Sequence, residues 1–229
     1  MKVQIYTLQT PEEALAVIEA GADHIGLTPS EHGLPGEISF ETARQIVDVV
    51  GSRATCVALT IDNDSELILA MVRAVKPHVL HLCPLKGAMT PDQVAALRAQ
   101  IPDVQVMQAI SVGGPETQAE AIRDAQIFAP VSDYLILDTQ APEIPGIGAS
   151  GKTHDWRISR AIVAAVSTPV ILAGGLGPDN VGDAIRAVRP WGVDSLTHTN
   201  QPLGDGRFRK DVERVRQFAQ AARQAAQTR

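Results

Sequence analysis

Tyr134-Leu-Ile-Leu-Asp138 is an apolar run that ends in a carboxylate, and Ile171-Leu-Ala-Gly-Gly-Leu-Gly177 is a second apolar run that ends in paired glycines. Between them, Ser150-Gly-Lys-Thr-His-Asp155 has the glycine and the acidic residue expected of a loop that leads into a helix. Strand, helix and strand in this order predict two neighbouring strands of a parallel sheet. A parallel α/β barrel would present the acid and a phosphate-binding turn at one rim.

Apolar runs of strand length alternate with amphipathic stretches along the whole chain, without a long linker. Eight such strand–helix units predict an α/β fold, a (β/α)8 TIM barrel in which residues 1–229 form a single domain. A doubly wound open sheet is the alternative, but the chain lacks an early Gly-x-Gly-x-x-Gly turn. The predicted strands are Val3–Leu8, His24–Leu27, Thr55–Thr60, Val79–Cys83, Val104–Ile110, Tyr134–Asp138, Val170–Ala173 and Gly192–Leu196.

Proline, hydroxyl or acidic residues mark the helix starts, because they cap the first backbone N–H groups or remove one of them. Two segments are predicted to be loops at the catalytic rim, Thr28–Ile38 after the second strand and Gln140–Gly151 after the sixth. The clearest predicted helices begin near Pro11, Ser39, Thr90, Pro115, Pro178 and Arg209.

The composition is that of a globular protein without a nucleic-acid-binding surface, since 45% of residues are apolar and the formal charge is −6. We expect no membrane association, because no apolar stretch approaches the length of a membrane span. We also expect no secretory signal. Cys56 and Cys83 lack ligand-type spacing and are interpreted as reduced thiols in a cytoplasmic protein. Nothing in the sequence calls for a metal or an organic cofactor, and both a monomer and a homodimer stay open.

Asp138 is a candidate general acid, because a carboxyl group at the end of a barrel strand is partly shielded from water. Desolvation raises the pKa of such a group and lets it carry a proton near neutral pH. The alternative is a carboxylate that caps a helix or bonds to its own loop.

The loops after the seventh and eighth strands are candidates for binding phosphate through backbone N–H groups and hydroxyls. The candidate ligands are Gly174 and Gly175, then Ser195 and Thr197. Lys152 is a further candidate anion ligand, although Ser150-Gly-Lys-Thr153 lacks the first glycine of a nucleotide-binding loop. A tight turn before a helix is the structural alternative.

Three further side chains are candidates for proton transfer. His81 and Cys83 are two residues apart on the fourth strand, so their side chains face the same side. They could be a proton carrier and a thiol, two metal ligands that lack a third partner, or a hydrogen-bonded interior pair. His198 follows the eighth strand, and Tyr6 on the first strand points inward with Gln4. An interior tyrosine is usually a packed side chain with its hydroxyl bonded.

The sequence resembles the phosphoribosylanthranilate isomerase family over nearly its full length. The similarity rests on Thr10-Pro-Glu-Glu-Ala14, Glu19-Ala-Gly-Ala-Asp-His-Ile-Gly26, Leu135-Ile-Leu-Asp-Thr139, Ser150-Gly-Lys-Thr-His-Asp-Trp156, Ile171-Leu-Ala-Gly-Gly-Leu-Gly-Pro-Asp-Asn-Val181 and Gly192-Val-Asp194. The resemblance implies a barrel that performs an Amadori rearrangement of a phosphorylated aminosugar, with Asp138 as the general acid.

Several family positions are changed in this chain. The resemblance places Tyr6 where the family has a cysteine that acts as general base, and a phenol with a pKa near 10 is a poor base. Leu34-Pro35-Gly36 stands where the family has Ser-Pro-Arg, whose arginine contacts the anthranilate, and Leu196-Thr-His-Thr-Asn200 replaces Ser-Ser-Gly-Val-Glu.

The leading hypothesis is therefore a divergent family member, an isomerase that moves a proton on a small phosphorylated, sugar-like substrate. Asp138 would be the acid, and Tyr6, His81 or His198 the base. The alternatives are a true phosphoribosylanthranilate isomerase of tryptophan biosynthesis and an inactive protein that binds phosphate ligands.

Overall fold

The computed structural model describes residues 1–139 and 153–227, and its closed barrel of parallel strands confirms the predicted fold. Each strand pairs with the next, and β8 pairs with β1 to close the barrel. The predicted loop Gln140–Gly151 and the candidate ligand Lys152 lie outside the described residues. The barrel strands are β1 Lys2–Ile5, β2 His24–Leu27, β3 Thr55–Thr60, β4 Val79–Leu82, β5 Gln105–Val112, β6 Tyr134–Thr139, β7 Val170–Leu172 and β8 Gly192–Ser195.

Helices follow the strands and cover the outside of the barrel. Two starts show the predicted capping: the Thr10 hydroxyl accepts the N–H of Glu13, and Thr90 and Gln93 form a reciprocal capping box. The helices predicted to begin near Pro115 and Pro178 begin three residues later, at Gln118 and Val181. None of these helices, within the described ranges, is long and apolar enough to cross a bilayer. The helices are α1 Pro11–Glu19, α2 Phe40–Val50, α3 Ser65–Val75, α4 Pro91–Gln100, α5 Gln118–Phe128, α6 Trp156–Ala165, α7 Val181–Val188 and α8 Val212–Gln227.

Strand alternation divides the apolar residues into two cores. The outer core lies between strands and helices and includes Val3, Ile5 and Phe218. The inner core fills the barrel and includes Tyr6, Met107 and Ile171. An interior side chain therefore lies among apolar neighbours unless it is at the mouth of the barrel.

An antiparallel hairpin interrupts the predicted start of the last helix. Its strands are β9 (Asn200–Gly204) and β10 (Arg207–Lys210), so the prediction of a helix beginning at Arg209 is wrong by three residues. Gly204, Asp205 and Gly206 all have positive φ at its tip, a backbone conformation that Gly and Asp tolerate. The hairpin follows β8 and packs on the C-terminal rim of the barrel, where the sequence analysis places the site.

Candidate active site

Tyr6 and His81 meet inside the barrel, although 75 residues separate them. The Tyr6 hydroxyl lies 2.9 Å from His81 Nδ1, and both side chains are 4% exposed. Gly26 makes room for the phenol, because a Cβ at that position would collide with the Tyr6 ring. From the sequence, Tyr6 was expected inside the barrel and the direction of His81 was left open; the structure brings the two side chains into one pair.

The pKa values of this pair show which atom holds the proton. Burial, and then the nearby Asp194 and Cys83 charges, raise the pKa of Tyr6 well above 10. Burial lowers the pKa of His81 to about 3. At neutral pH the phenol is therefore protonated and the imidazole neutral, so Tyr6 donates its hydrogen bond to His81 Nδ1. Neither group is a strong base by itself.

Asp138 lies on β6 with its side chain partly exposed at the mouth of the barrel. Burial raises the pKa of its carboxyl group to about 7, and the hydrogen bond from the Thr139 backbone N–H opposes this only in part. That N–H lies 2.7 Å from Asp138 Oδ1. The predicted desolvation is present, and it leaves a carboxyl group that can hold a proton near neutral pH.

Asp194 is a second interior carboxyl group, which in the sequence was noted only as part of the family resemblance. It lies opposite Gln4 in the β1–β8 pairing and is 7% exposed. Burial, and next the charge of Asp138, raise its pKa to about 8, against the opposing effects of Gln4 and Lys210. Because the two carboxyl groups influence each other, they titrate as a pair that retains at least one proton at neutral pH.

Lys210 is a buried cation that reaches this region from the hairpin. Its ammonium group donates hydrogen bonds to the Tyr6 carbonyl, to the Leu196 carbonyl at 3.3 Å and to Asn200 Oδ1 at 2.5 Å. Burial lowers its pKa to about 7, although Glu13 and Asp194 oppose the shift. The sequence analysis missed Lys210 because it assigned Arg209 and the following residues to a helix.

The loop after β7 is a turn that two glycines with positive φ make possible. Gly174 and Gly175 have φ values of +85° and +61°, which a residue with a side chain adopts only with strain. Asn180 fixes the turn: its Oδ1 accepts the Gly177 N–H, and its Nδ2 donates to the Gly175 carbonyl, both at 2.9 Å. These bonds hold the glycines at the entrance to α7.

The acid and the glycine turn share one rim. A Cβ on Gly174 would collide with the hydroxyl of Thr139, the residue that follows Asp138, and would lie 3.0 Å from His154 Nδ1. Thr139 and His154 themselves are joined by a 3.0 Å hydrogen bond, and Ser159 holds the other ring nitrogen of His154 at 2.6 Å. His154, which burial keeps neutral by lowering its pKa to about 4, therefore joins the end of β6 to α6 beside the glycine turn.

The predicted ligands from the eighth strand occupy different places. The Ser195 hydroxyl donates to the Leu176 carbonyl at 2.7 Å, so it joins β8 to the glycine loop. Thr197 is exposed at the start of a 3-10 turn, and His198 in that turn lies beside Gly177. His198 is thus on the predicted phosphate side, apart from the Tyr6–His81 pair. Among the described residues, no three His, Cys, Asp or Glu side chains are grouped to hold a metal ion.

Comparisons with known proteins point to one family. The family model described as N-(5'phosphoribosyl)anthranilate (PRA) isomerase matches residues 3–221. An N-(5'-phosphoribosyl)anthranilate isomerase of Methanocella arvoryzae is 33% identical, covering 97% of this chain and 98% of its own. Another, of Haloferax volcanii, is 37% identical, with coverages of 94% and 90%.

Solved structures give the same result. The phosphoribosylanthranilate isomerase of Thermotoga maritima has a TM-score of 0.78 and 26% identity, and the match covers 98% of this chain and 99% of that one. A complex of such an isomerase with reduced 1-(o-carboxyphenylamino)-1-deoxyribulose 5-phosphate has a TM-score of 0.74, 23% identity and the same coverages. The family match and the curated relatives together show that this chain belongs to the N-(5'-phosphoribosyl)anthranilate isomerase family.

Proposed function

We propose that this protein catalyses the kind of isomerisation for which its relatives are named, an Amadori rearrangement of a phosphorylated, N-substituted pentosylamine. In this reaction a proton reaches the ring oxygen, the ring C–O bond breaks, and the nitrogen lone pair forms an iminium. Loss of the neighbouring C–H proton then gives an enolamine, which becomes the aminoketose. The chemistry needs one acid, one proton acceptor and an anchor for the phosphate.

The observation that carries the proposal is Asp138 at the same rim as the Gly174–Gly175 turn. Its pKa of about 7 makes Asp138 a general acid suited to neutral pH, because it holds a proton and still gives it up readily. The backbone N–H groups of the glycine turn, with the N-terminus of α7 behind them, would hold the phosphate. Asp194 would keep a proton available to Asp138, since the pair titrates together.

The proposed proton acceptor is the Tyr6–His81 pair acting as a relay. Tyr6 is too weak an acid to ionise, but its oxygen can take a proton from carbon while its own proton passes to His81 Nδ1. No tyrosinate forms in such a relay. The imidazolium would be short-lived, because the pKa of His81 is lowered to about 3, and it would return the proton to the enolamine carbon next to nitrogen. The enol O–H proton would pass to the Asp138 carboxylate, which restores the acid.

The direct test is turnover and binding by Asp138→Asn. Asparagine keeps the shape and the oxygen that accepts the Thr139 N–H, but it carries no transferable proton. We expect turnover to fall by at least about 10²-fold, within the usual contribution of a general acid. Binding of the reduced ribulose 5-phosphate analogue should change by less than threefold. Normal turnover by the variant would reject the assignment of Asp138.

Phosphoribosylanthranilate itself is a specific second candidate for the substrate. The relatives named for this substrate favour it, at 31–37% identity across most of the chain. Growth of a tryptophan auxotroph that lacks the isomerase, when supplied with this chain, is the test. If sugar phosphates bind but none is converted, the protein is instead a phosphate-ligand-binding member of the family.

A further inference from the structure

The pairing of β1 with its neighbours ends one residue before Tyr6. Ile5, the last residue of β1, pairs with Ser195 of β8 and Ile25 of β2. The Tyr6 N–H still donates to the Ser195 carbonyl, at 3.0 Å. Its buried carbonyl accepts a hydrogen bond from the ammonium group of Lys210. A side chain of the β9–β10 hairpin therefore helps to fix the main chain that carries the phenol.

The Lys210 ammonium group is itself fixed by other parts of the protein. Besides the Tyr6 carbonyl, Nζ donates to the Leu196 carbonyl at 3.3 Å and to Asn200 Oδ1 at 2.5 Å. The Phe208 ring lies beside it, with its centroid 5.6 Å from Nζ. An ammonium group has three N–H donors, so all of them are used within the protein. Lys210 is thus an anchor for Tyr6 rather than a ligand for the substrate phosphate.

The main chain of Lys210 is held as well as its side chain. Its N–H donates to Glu13 Oε1 at 2.5 Å, and Glu13 Oε2 accepts the Gln9 N–H at 2.8 Å. The Gln9 amide donates in turn to the Phe208 carbonyl, at 2.9 Å. The residues that follow Tyr6 and those beside Lys210 therefore form one hydrogen-bonded unit. The ammonium group moves relative to Tyr6 only if these bonds break.

The other end of Tyr6 is held at its hydroxyl. The oxygen lies 2.9 Å from His81 Nδ1, and Gly26 makes room for the ring. A relay through this hydroxyl requires the oxygen to face the reacting carbon and His81 together, and a displacement of ~1 Å can cost ~10²-fold in rate. Because the hydroxyl is the part of the side chain farthest from the main chain, a small rotation of the Tyr6 backbone displaces it most. The anchor on the Tyr6 carbonyl therefore controls the position of the reacting oxygen.

The ammonium group is costly to bury at this place. Lys210 is 4% exposed, and a charged group out of water is unfavourable unless its hydrogen bonds are satisfied. Its acceptors are two carbonyls and one amide oxygen, and the carboxyl groups of Glu13 and Asp194 lie near enough to favour its charged form. A purely structural role would be to join the hairpin to the barrel. The bond to the Tyr6 carbonyl gives the cation a second role at the site.

We propose that Lys210 is a positioning residue for the isomerisation, and that its ammonium group holds the Tyr6 hydroxyl where it accepts the proton from carbon. The proposal rests on the isomerase function proposed above and deepens it. Lys210 does not touch the reacting atoms and exchanges no proton with them. At a constant protonation state of the Asp138–Asp194 pair, its effect on the rate passes through Tyr6.

The experiment is a double-mutant cycle of Lys210→Met and Tyr6→Phe, with turnover of phosphoribosylanthranilate as the readout. Rates are measured at pH 6, below the pKa values of about 7 for Asp138 and about 8 for Asp194, so that loss of the Lys210 charge does not change their protonation. Lys210→Met should lower kcat by ~10-fold or more, while KM and the Kd of the reduced ribulose 5-phosphate analogue stay within about threefold of native. Lys86→Met, which removes an exposed lysine from the loop after β4, is the matched control and should change none of these values.

The double variant tests whether Lys210 acts through the phenol. Once Tyr6→Phe has removed the hydroxyl, Lys210→Met should lower kcat by less than about threefold further. A purely structural role predicts the same fold loss with and without the hydroxyl. Lys210→Gln, which keeps N–H donors in the buried site at a shorter reach, goes through the same cycle with the same expectation, and it serves if the methionine variant does not fold.

The outcomes separate the two proposals. Turnover by the native protein with independent losses in the cycle, with a Lys210→Met rate within about threefold of native, or with neither Lys210 variant able to fold overturns the positioning role and leaves the isomerase function standing. A Tyr6→Phe rate close to native excludes the relay and the positioning role together, and leaves Asp138 as the acid. No turnover by the native protein rejects the isomerase function on this substrate, and the role of Lys210 with it.

Discussion

Asp138→Asn is expected to stabilise the folded protein at alkaline pH while it removes activity. On folding, the pKa of Asp138 rises from 3.8 to about 7, chiefly through burial. The folded state therefore holds the proton more tightly than the unfolded state. The stability that this proton contributes is fully present below pH 3.8 and is lost as the pH rises through 7. Asparagine, which never ionises, avoids that loss.

The size of the effect follows from the pKa values. Each pKa unit is worth about 1.4 kcal/mol, so ionising Asp138 in the folded protein costs at most ~4 kcal/mol. Because the carboxyl group is partly exposed at the mouth, solvent screening reduces this to ~1–2 kcal/mol. For a chain of this length, that gain corresponds to a rise in Tm of about 2–8 °C. Loss of the Asp138 charge also lowers the pKa of Asp194, which acts in the same direction.

Thermal unfolding of the native protein and Asp138→Asn at pH 8 and pH 4 measures this difference. The gain should be present at pH 8 and shrink toward zero at pH 4. Asp103→Asn is the matched control, since Asp103 is an exposed carboxylate in the loop before β5, and it should change Tm at neither pH. An Asp138→Asn protein no more stable than the native one at pH 8, or equally stabilised at both pH values, refutes the raised pKa.

Three further perturbations test other parts of the site. Tyr6→Phe removes the relay hydroxyl but keeps the ring, so turnover should drop by ~10²-fold; a rate close to native would exclude the relay. The variant should also lose about 1–3 kcal/mol of stability, because buried His81 Nδ1 is left without its donor. Gly26→Ala places a methyl group against the Tyr6 ring and should destabilise the protein by ~1–3 kcal/mol. The double variant Gly26→Ala/Tyr6→Cys should recover most of that lost stability, measured by urea unfolding. Additive effects of the two substitutions would show that residues 26 and 6 are not in contact. Lys210→Met should cost roughly 2–4 kcal/mol by leaving Asn200 and two carbonyls without their donor, whereas a loss below ~0.5 kcal/mol would show that the ammonium contributes little.

The sequence predicted the barrel because strand length, apolar runs and helix caps are local signals that recur through the chain. Asp138 was predicted for the same reason, since its place at the end of β6 follows from the apolar run before it. How deeply a carboxyl group is buried depends on the packing of distant segments, not on the neighbouring sequence. Asp194 lies within a strand that was predicted, but only the pairing of β8 with β1 shows that it faces the inside of the barrel.

The hairpin escaped prediction for a different reason. Its strands are mostly exposed and polar, so they lack the alternation of apolar residues that indicates a half-buried strand. The tip, Gly204-Asp-Gly206, is typical of a hairpin turn but was not interpreted as one from the sequence. Lys210 was therefore assigned to a helix predicted to begin at Arg209, with Phe208 as the residue before it, so their contacts with residues near the other end of the chain could not be foreseen.

These long-range contacts affect how the chain folds during its synthesis. The segment after β1 is joined to the hairpin by bonds whose partners are 197 to 204 residues apart: Gln9 donates to the Phe208 carbonyl, and Lys210 donates to Glu13 and to the Tyr6 carbonyl. A nascent chain still lacking β8 and the hairpin leaves β1 with one unpaired edge, which is open to association with other chains. Correct folding during synthesis thus depends on the final sixth of the polypeptide, from Gly192 onward, being made before that edge pairs with another chain.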